Sequence, residues 1–234
     1  MPESIYSTGK YLSENIGWHS EDSPWKAEQI SKMINKHQLD STTTVEIGCG
    51  AGKILTELSC RYPESNFSGF DPSSDAAKFW REPSKNVTLF NQDFFINPTK
   101  YQLLMAIDVI EHIPDYLGFL AKIRPYGVRH IFHIPLELSA QAVIRNTQMK
   151  SRESVGHLHY FSKETAIASL KDSGYRILDY AYTPAALDQP ARALPKLLNI
   201  LRRPLGGISI DFASRLLGGW SLLVLAEDKS LHGI

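Results

Sequence analysis

From residue 43 onward the chain repeatedly sets a short apolar run against a longer stretch in which apolar residues return every three or four positions. Short runs bounded by Gly, Pro, Asp or Ser read as buried strands, and the 3.6-residue recurrence reads as one-sided helices. On this pattern strands are expected near 43–48, 66–71, 87–92, 102–108, 129–134, 175–183 and 221–227, with helices near 24–37, 52–61, 73–81, 115–124 and 162–173. Ser23 and Pro24 suit the opening of the first helix, while Ser162 and Gly174 suit the two ends of the last. Alternation of strand and helix predicts a parallel sheet covered by helices on both faces.

Two stretches fall outside that alternation. Residues 1–23 scatter Tyr6, Tyr11, Trp18 and His19 among Ser, Glu and Asn, the composition of a loose terminus with surface aromatics. Residues 184–219 form a helical insertion between the last two strands. Leu194, Leu197, Leu198, Leu201 and Leu205 recur there at helical spacing beside Lys196, Arg202 and Arg203, and Pro204, Gly206 and Gly207 are expected to break the helix. A second short helix follows, with Ile208, Phe212, Leu216 and Leu217 apolar and Asp211 in its first turn. A plain hairpin packed on the domain is the first expectation. A substrate lid ranks next, and peripheral contact with membrane lipid third, because basic amphipathic helices suit an interface but this apolar face is short.

At 234 residues the chain is long enough for one α/β core, so a single domain over 1–234 is expected, with 1–40 as a cap segment and first helix. Its 25 basic and 25 acidic residues cancel, which removes the electrostatic drive that nucleic-acid binding demands. The cysteines are Cys49 and Cys60, too few for a disulfide framework and suited to a reducing cytosol. No basic start precedes an apolar core at the N-terminus, and no run approaches the roughly 18 to 20 apolar residues of a membrane span. The expectation is a cytoplasmic protein without an integral membrane segment, acting on small substrates.

The candidate chemistry begins at Thr43-Thr44-Val45-Glu46-Ile47-Gly48-Cys49-Gly50-Ala51-Gly52, where a strand delivers an acid and three alternate glycines to the start of a helix. Glycines let the backbone approach a ligand more closely than any Cβ allows, and a helix start offers free N–H groups. The dinucleotide fingerprint G-x-G-x-x-G fails because position 53 is Lys; the triphosphate P-loop fails because positions 47 and 54 are Ile. Further on, Asn66 to Phe70 leads into Asp71-Pro72, an acid able to accept both hydroxyls of a ribose. Val87 to Gln92 leads into Asp93-Phe94, an acid for an adenine amino group and a ring to cover the base. Leu103 to Ile107 leads into Asp108-Val109-Ile110-Glu111-His112.

Glu46 to Gly52 match E/D-x-G-x-G-x-G at every specified position, and with the later acids in order the chain resembles the class I S-adenosylmethionine-dependent methyltransferases of the small-molecule, type 11/12-like kind. The Asp-x-x-Glu-His string at 108–112 is close to the form in many of them. This resemblance implies a Rossmann-like, seven-stranded, mostly parallel sheet whose last strand is antiparallel and inserted beside the fifth. It implies S-adenosylmethionine as cofactor and in-line transfer of a methyl group to an oxygen or nitrogen of a small-molecule or lipid-linked acceptor. It further implies cofactor contacts from Glu46, Gly48, Cys49, Gly50, Gly52, Asp71, Pro72, Asp93, Phe94, Asp108, Val109 and His112, with the segment before the glycine turn folded over the cofactor. The rival readings are a module that binds the cofactor without catalysis and, further off, an NAD-dependent oxidoreductase.

In-line transfer from a sulfonium leaves the protein to position the acceptor and remove its proton. Candidate bases stand where an open α/β sheet forms its crevice, at the carboxyl ends of strands. They are His133, just before Pro135 ends its strand, and His157 and His159 in Gly156-His157-Leu158-His159-Tyr160-Phe161-Ser162, which resembles the G-H-x-x-x-[FY]-S approach to a late helix. His157 ranks first because the resemblance fixes its place. The ordinary alternative for each is a packed histidine. Asp108, Glu111 and His112 would also suit a cation, but the same string is common in relatives without metals, and no metal is expected.

Overall fold

The computed structural model describes Trp18 and residues 20–81, 84–188 and 196–232. Seven strands, β1 (Thr43–Ile47), β2 (Asn66–Phe70), β3 (Val87–Phe90), β4 (Tyr101–Ile107), β5 (Gly127–Pro135), β6 (Tyr175–Thr183) and β7 (Ser221–Asp228), form one sheet in the order β3-β2-β1-β4-β5-β7-β6. Strands β1 to β5 pair in parallel, and β7 runs antiparallel to β5 and β6. Strand order reverses between β1 and β4, which opens a crevice at their carboxyl ends. Register lines up the loops there, since Ile47 pairs with Phe70, Phe70 with Phe90, and Ile107 with His133.

The two-residue period of each strand sends alternate side chains into two cores. Val45, Leu104, Ala106, Phe132 and Val224 enter one, while Leu103, Met105, Ile131 and Leu225 enter the other. Helices cover both faces: α1 (Ser23–His37), α2 (Lys53–Arg61), α3 (Ser74–Ala77), α4 (Tyr116–Ile123), α5 (Ala140–Ile144), α6 (Thr147–Ser154), α7 (Lys163–Asp172), α8 (Ala185–Asp188), α9 (Lys196–Ile208) and α10 (Ile210–Leu217). Ser162 caps α7 as expected. Its hydroxyl accepts the Thr165 N–H at 3.3 Å, and its own N–H donates to the Thr165 hydroxyl at 2.9 Å.

Three expectations need correction. The helix expected over 73–81 is only Ser74–Ala77, because the Phe79 and Trp80 N–H groups turn to carbonyls three residues back and Trp80 Nε1 donates to the Gly50 carbonyl at 2.8 Å. Helices α5 and α6, between β5 and α7, were not foreseen, and the eight residues of α6 carry no clear apolar stripe. Finally, α9 runs through Pro204, Gly206 and Gly207 to Ile208, and the break falls at Ser209, whose hydroxyl accepts the Phe212 N–H at 3.2 Å.

Arg202 ties α9 to the end of α10. It is fully buried, not a surface cation, and donates from Nε to the Gly218 carbonyl and from Nη2 to the Leu217 carbonyl, both at 2.9 Å. It thereby satisfies carbonyls at the end of α10, where the helix dipole also favours a cation. Arg202→Met is expected to cost about 1–3 kcal/mol by stranding these groups. A thermal melt several degrees below wild type checks it; an unchanged melt removes the anchor from the account.

The insertion is neither wholly buried nor wholly free. Ala213 and Leu217 pack inward, while Ile200, Ile208 and Phe212 are 66%, 84% and 56% exposed. Leu194 lies outside the described residues, as do Tyr6, Tyr11 and His19. No helix among the described residues is long and apolar enough to cross a membrane.

Candidate active site

The turn after β1 is left-handed at all three glycines, with φ of 75° at Gly48, 51° at Gly50 and 69° at Gly52. Added Cβ atoms would also collide, at 2.7 Å from Val109 Cγ2 for Gly48, 2.9 Å from Trp18 Cδ1 for Gly50 and 2.7 Å from Leu89 Cδ1 for Gly52. Glycine is therefore required twice over, by backbone conformation and by space. Asp71 ties this turn to the end of β2. Its Oδ2 accepts the Gly50 N–H and its Oδ1 the Ser73 N–H, each at 2.8 Å. Burial raises its affinity for a proton, partly offset by those two N–H groups. Pro72 is exposed beside it.

Beneath the turn, Glu46 is buried and its Oε2 has no hydrogen-bond partner among the described residues. Burial pushes its pKa up to about 8; Lys26 opposes that rise, while Asp71 and Asp108 add to it. Cys49 is buried against Gly69, its thiol pushed well up by burial, so it acts as a small packing residue. Trp18 and Trp80 flank Gly50, a placement foreseen only loosely for the first and not at all for the second.

On the adenine side, Asp93 is exposed and caps a short turn by accepting the Phe95 N–H at 2.8 Å. Phe94 is 2% exposed and sits edge-on to Phe70 and Tyr126 in the core. The ring expected to cover a base thus packs among core aromatics.

The end of β4 carries a charged relay that spacing did not reveal. Asp108, at φ 54°, accepts from Lys26 Nζ of α1 at 2.6 Å and from His133 Nδ1 at 2.5 Å. Burial disfavours its charge, but Lys26 and His133 outweigh it and hold the carboxyl well below the usual range. His133 Nε2 lies 2.9 Å from Thr183 Oγ1, so both ring nitrogens of this buried histidine are engaged. That geometry joins β4, β5, β6 and α1 through one imidazole and one carboxylate.

The loop before α7 is pinned to the 3₁₀ turn Ile110–His112 by the Leu158 and His159 N–H groups, which donate to the Glu111 carbonyl at 2.7 and 3.2 Å. His159 Nε2 donates to the Ile113 carbonyl at 3.0 Å, its ring beside Tyr116. His157 Nδ1 donates to Glu137 Oε2 at 2.6 Å, and Ser151 Oγ donates to Glu137 Oε1 at 2.9 Å. A carboxylate that is itself held in place thus fixes the imidazole's tautomer and direction. Glu137 was missed; its position just past the end of β5 was the available signal. The insertion lines this side too. Asp211 of α10 pairs with Lys163 at the start of α7, and Gly218, just past α10, sits close against Ser139.

The reversed strand order, the antiparallel seventh strand and the glycine turn facing an acid define a Rossmann-like nucleoside-cofactor enzyme. Residues 23–180 match the family model described as a methyltransferase domain, and the chain belongs to that family: it is a class I S-adenosylmethionine-dependent methyltransferase. Magnesium protoporphyrin IX methyltransferase from Synechocystis PCC 6803, solved with bound SAH, has the same fold at a TM-score of 0.60 and 13% identity, with 95% of each chain covered. Coclaurine N-methyltransferase bound to N-methylheliamine and SAH is similar at a TM-score of 0.58 and 12% identity, covering 86% of this chain and 72% of that one. N-methyltransferase 4 from Papaver somniferum is 26% identical over 93 residues, a match spanning 36% of this chain and 26% of that protein.

Proposed function

We propose that the enzyme methylates a nitrogen or oxygen of a small or lipid-linked acceptor held between the glycine turn and the His157 loop. The observation that carries this reading is the Glu137–His157 pair, an imidazole oriented at 2.6 Å by a buttressed carboxylate on the acceptor side of the sheet. It presents a lone pair suited to an acceptor proton. The N-methyltransferase names of the plant relatives support nitrogen. The exposed Ile200, Ile208 and Phe212 of the insertion support an apolar, lipid-linked acceptor. In the test, protein and methyl-labelled cofactor are incubated with amine, phenol, sugar and lipid-linked acceptors. Label should reach one of these classes; tight S-adenosylhomocysteine binding with no acceptor ever labelled would instead mark a cofactor-sensing module.

For the cofactor we place the amino-acid end at Gly48, Cys49, Gly50 and Gly52 with Val109 behind them, the ribose at Asp71 beside Pro72, and the adenine by Asp93. Glu46 takes the cofactor's ammonium. Asp108 and His112 support this seat from the end of β4, Asp108 through Lys26 and His133. Because Glu46 is neutral below about pH 8, an ammonium must first see it ionise. Cofactor affinity should therefore rise as pH climbs from 6 towards 8, by up to about tenfold per unit, and then level off. Calorimetry with S-adenosylhomocysteine at several pH values checks this; Glu46→Gln should flatten the slope, and a slope that survives removes Glu46 from the site.

A further inference from the structure

Glu111 is fully buried, and neither carboxylate oxygen has a hydrogen-bond partner among the described residues. Methyl transfer as read above gives it no task. His112 Nε2 stands 3.9 Å from Glu111 Oε1, too far for a hydrogen bond. His157 completes the group, so that one ligand atom from each of the three residues lies within 4.8 Å of the other two. Two ligands each about 2.1 Å from a shared ion stand roughly 3 to 4 Å apart, so small side-chain adjustments would close this set on a metal.

We propose that Glu111, His112 and His157 bind a divalent transition-metal ion of the Zn2+ class, leaving open positions towards the acceptor. Two imidazoles and one carboxylate suit zinc, iron or cobalt better than calcium or magnesium. The outer partners are also in place. Glu137 fixes His157 through Nδ1 at 2.6 Å, and the Gly156 carbonyl lies 3.3 Å from His112 Nδ1, which directs the Nε2 atoms to the ion. Asp108, which sequence spacing grouped with Glu111 and His112, is instead held by Lys26 and His133. The inference rests on the acceptor-side reading: with the ion present, the His157 lone pair serves it, and an acceptor oxygen or nitrogen would bind at an open position.

The test is titration of chelator-treated protein with Co2+, followed by visible absorption. One equivalent should bind, with bands of nitrogen-ligated cobalt that Zn2+ abolishes. Glu137→Gln should weaken binding by roughly 10- to 100-fold, and Glu111→Gln or His112→Asn by more. Thermal melts report that each variant is folded, and S-adenosylhomocysteine affinity adds the same check for Glu111→Gln and Glu137→Gln. A wild type that takes up no Co2+ at micromolar concentration, or a folded Glu111→Gln that keeps full affinity, overturns the site. Methylation is read separately. If cobalt binding fails but His157→Ala still slows turnover, only the metal inference falls; if cobalt binds as expected and His157→Ala methylates at full rate, the metal site stands and the acceptor reading falls.

Discussion

His157→Ala is expected to lower methyl transfer by about 10²- to 10⁴-fold while leaving S-adenosylhomocysteine affinity unchanged. The split follows from position. His157 lies on the loop before α7, its ring against His112, and its Nδ1 is held by Glu137. Removing it takes away the acceptor-side lone pair and leaves the Gly48–Gly52 turn intact. Glu137→Gln should cost less turnover than His157→Ala, because the imidazole remains but loses the partner that sets its tautomer. His133→Ala should behave differently. It strips Asp108 and Thr183 of a shared partner inside the fold, so its mark is a lowered melting temperature together with slower turnover. Steady-state kinetics beside calorimetry separate these outcomes. Full turnover in folded His157→Ala would remove the acceptor side as assigned.

How much of this was legible in the sequence depended on the range of the interaction. Strand interiors such as Leu103-Leu104-Met105-Ala106-Ile107 could be located because a parallel sheet covered on both faces needs continuous apolar runs. Glycines at 48, 50 and 52 were legible because backbone conformation and space both forbid a side chain there. The antiparallel insertion of β7 between β5 and β6 was not written in any local pattern and came from family resemblance alone. Nor was the partner of each polar group. Asp108 was legible as an acid at the end of β4 but not its ion pair with Lys26, far back on α1, and Phe94 as a ring after β3 but not its packing on Phe70. Spacing grouped Asp108 with Glu111 and His112, whereas the fold replaced Asp108 by His157 from a distant loop. In each case a local pattern located the residue, and only tertiary packing decided what it faces.

Asp71 gives the largest expected effect on the cofactor itself. Its two oxygens already accept N–H groups from Gly50 and Ser73, and an ionised carboxylate keeps further lone pairs on both for the ribose hydroxyls. Asp71→Ala would strand two backbone donors and remove the ribose contact, a loss of roughly 3 to 4 kcal/mol, or about 10²- to 10³-fold in affinity for S-adenosylhomocysteine. Asp71→Asn is the sharper variant. Whichever way its amide turns, the NH2 group must face either the Gly50 or the Ser73 N–H, so one donor opposes another inside a buried turn. The conservative change should therefore weaken binding nearly as much as the truncation, and free methionine, which has no ribose, should not distinguish Asn from Ala. Calorimetry on both variants decides the point. If Asp71→Asn binds the cofactor like the wild type, neither the turn nor the ribose depends on that carboxylate, and the cofactor seat must be placed elsewhere along the crevice.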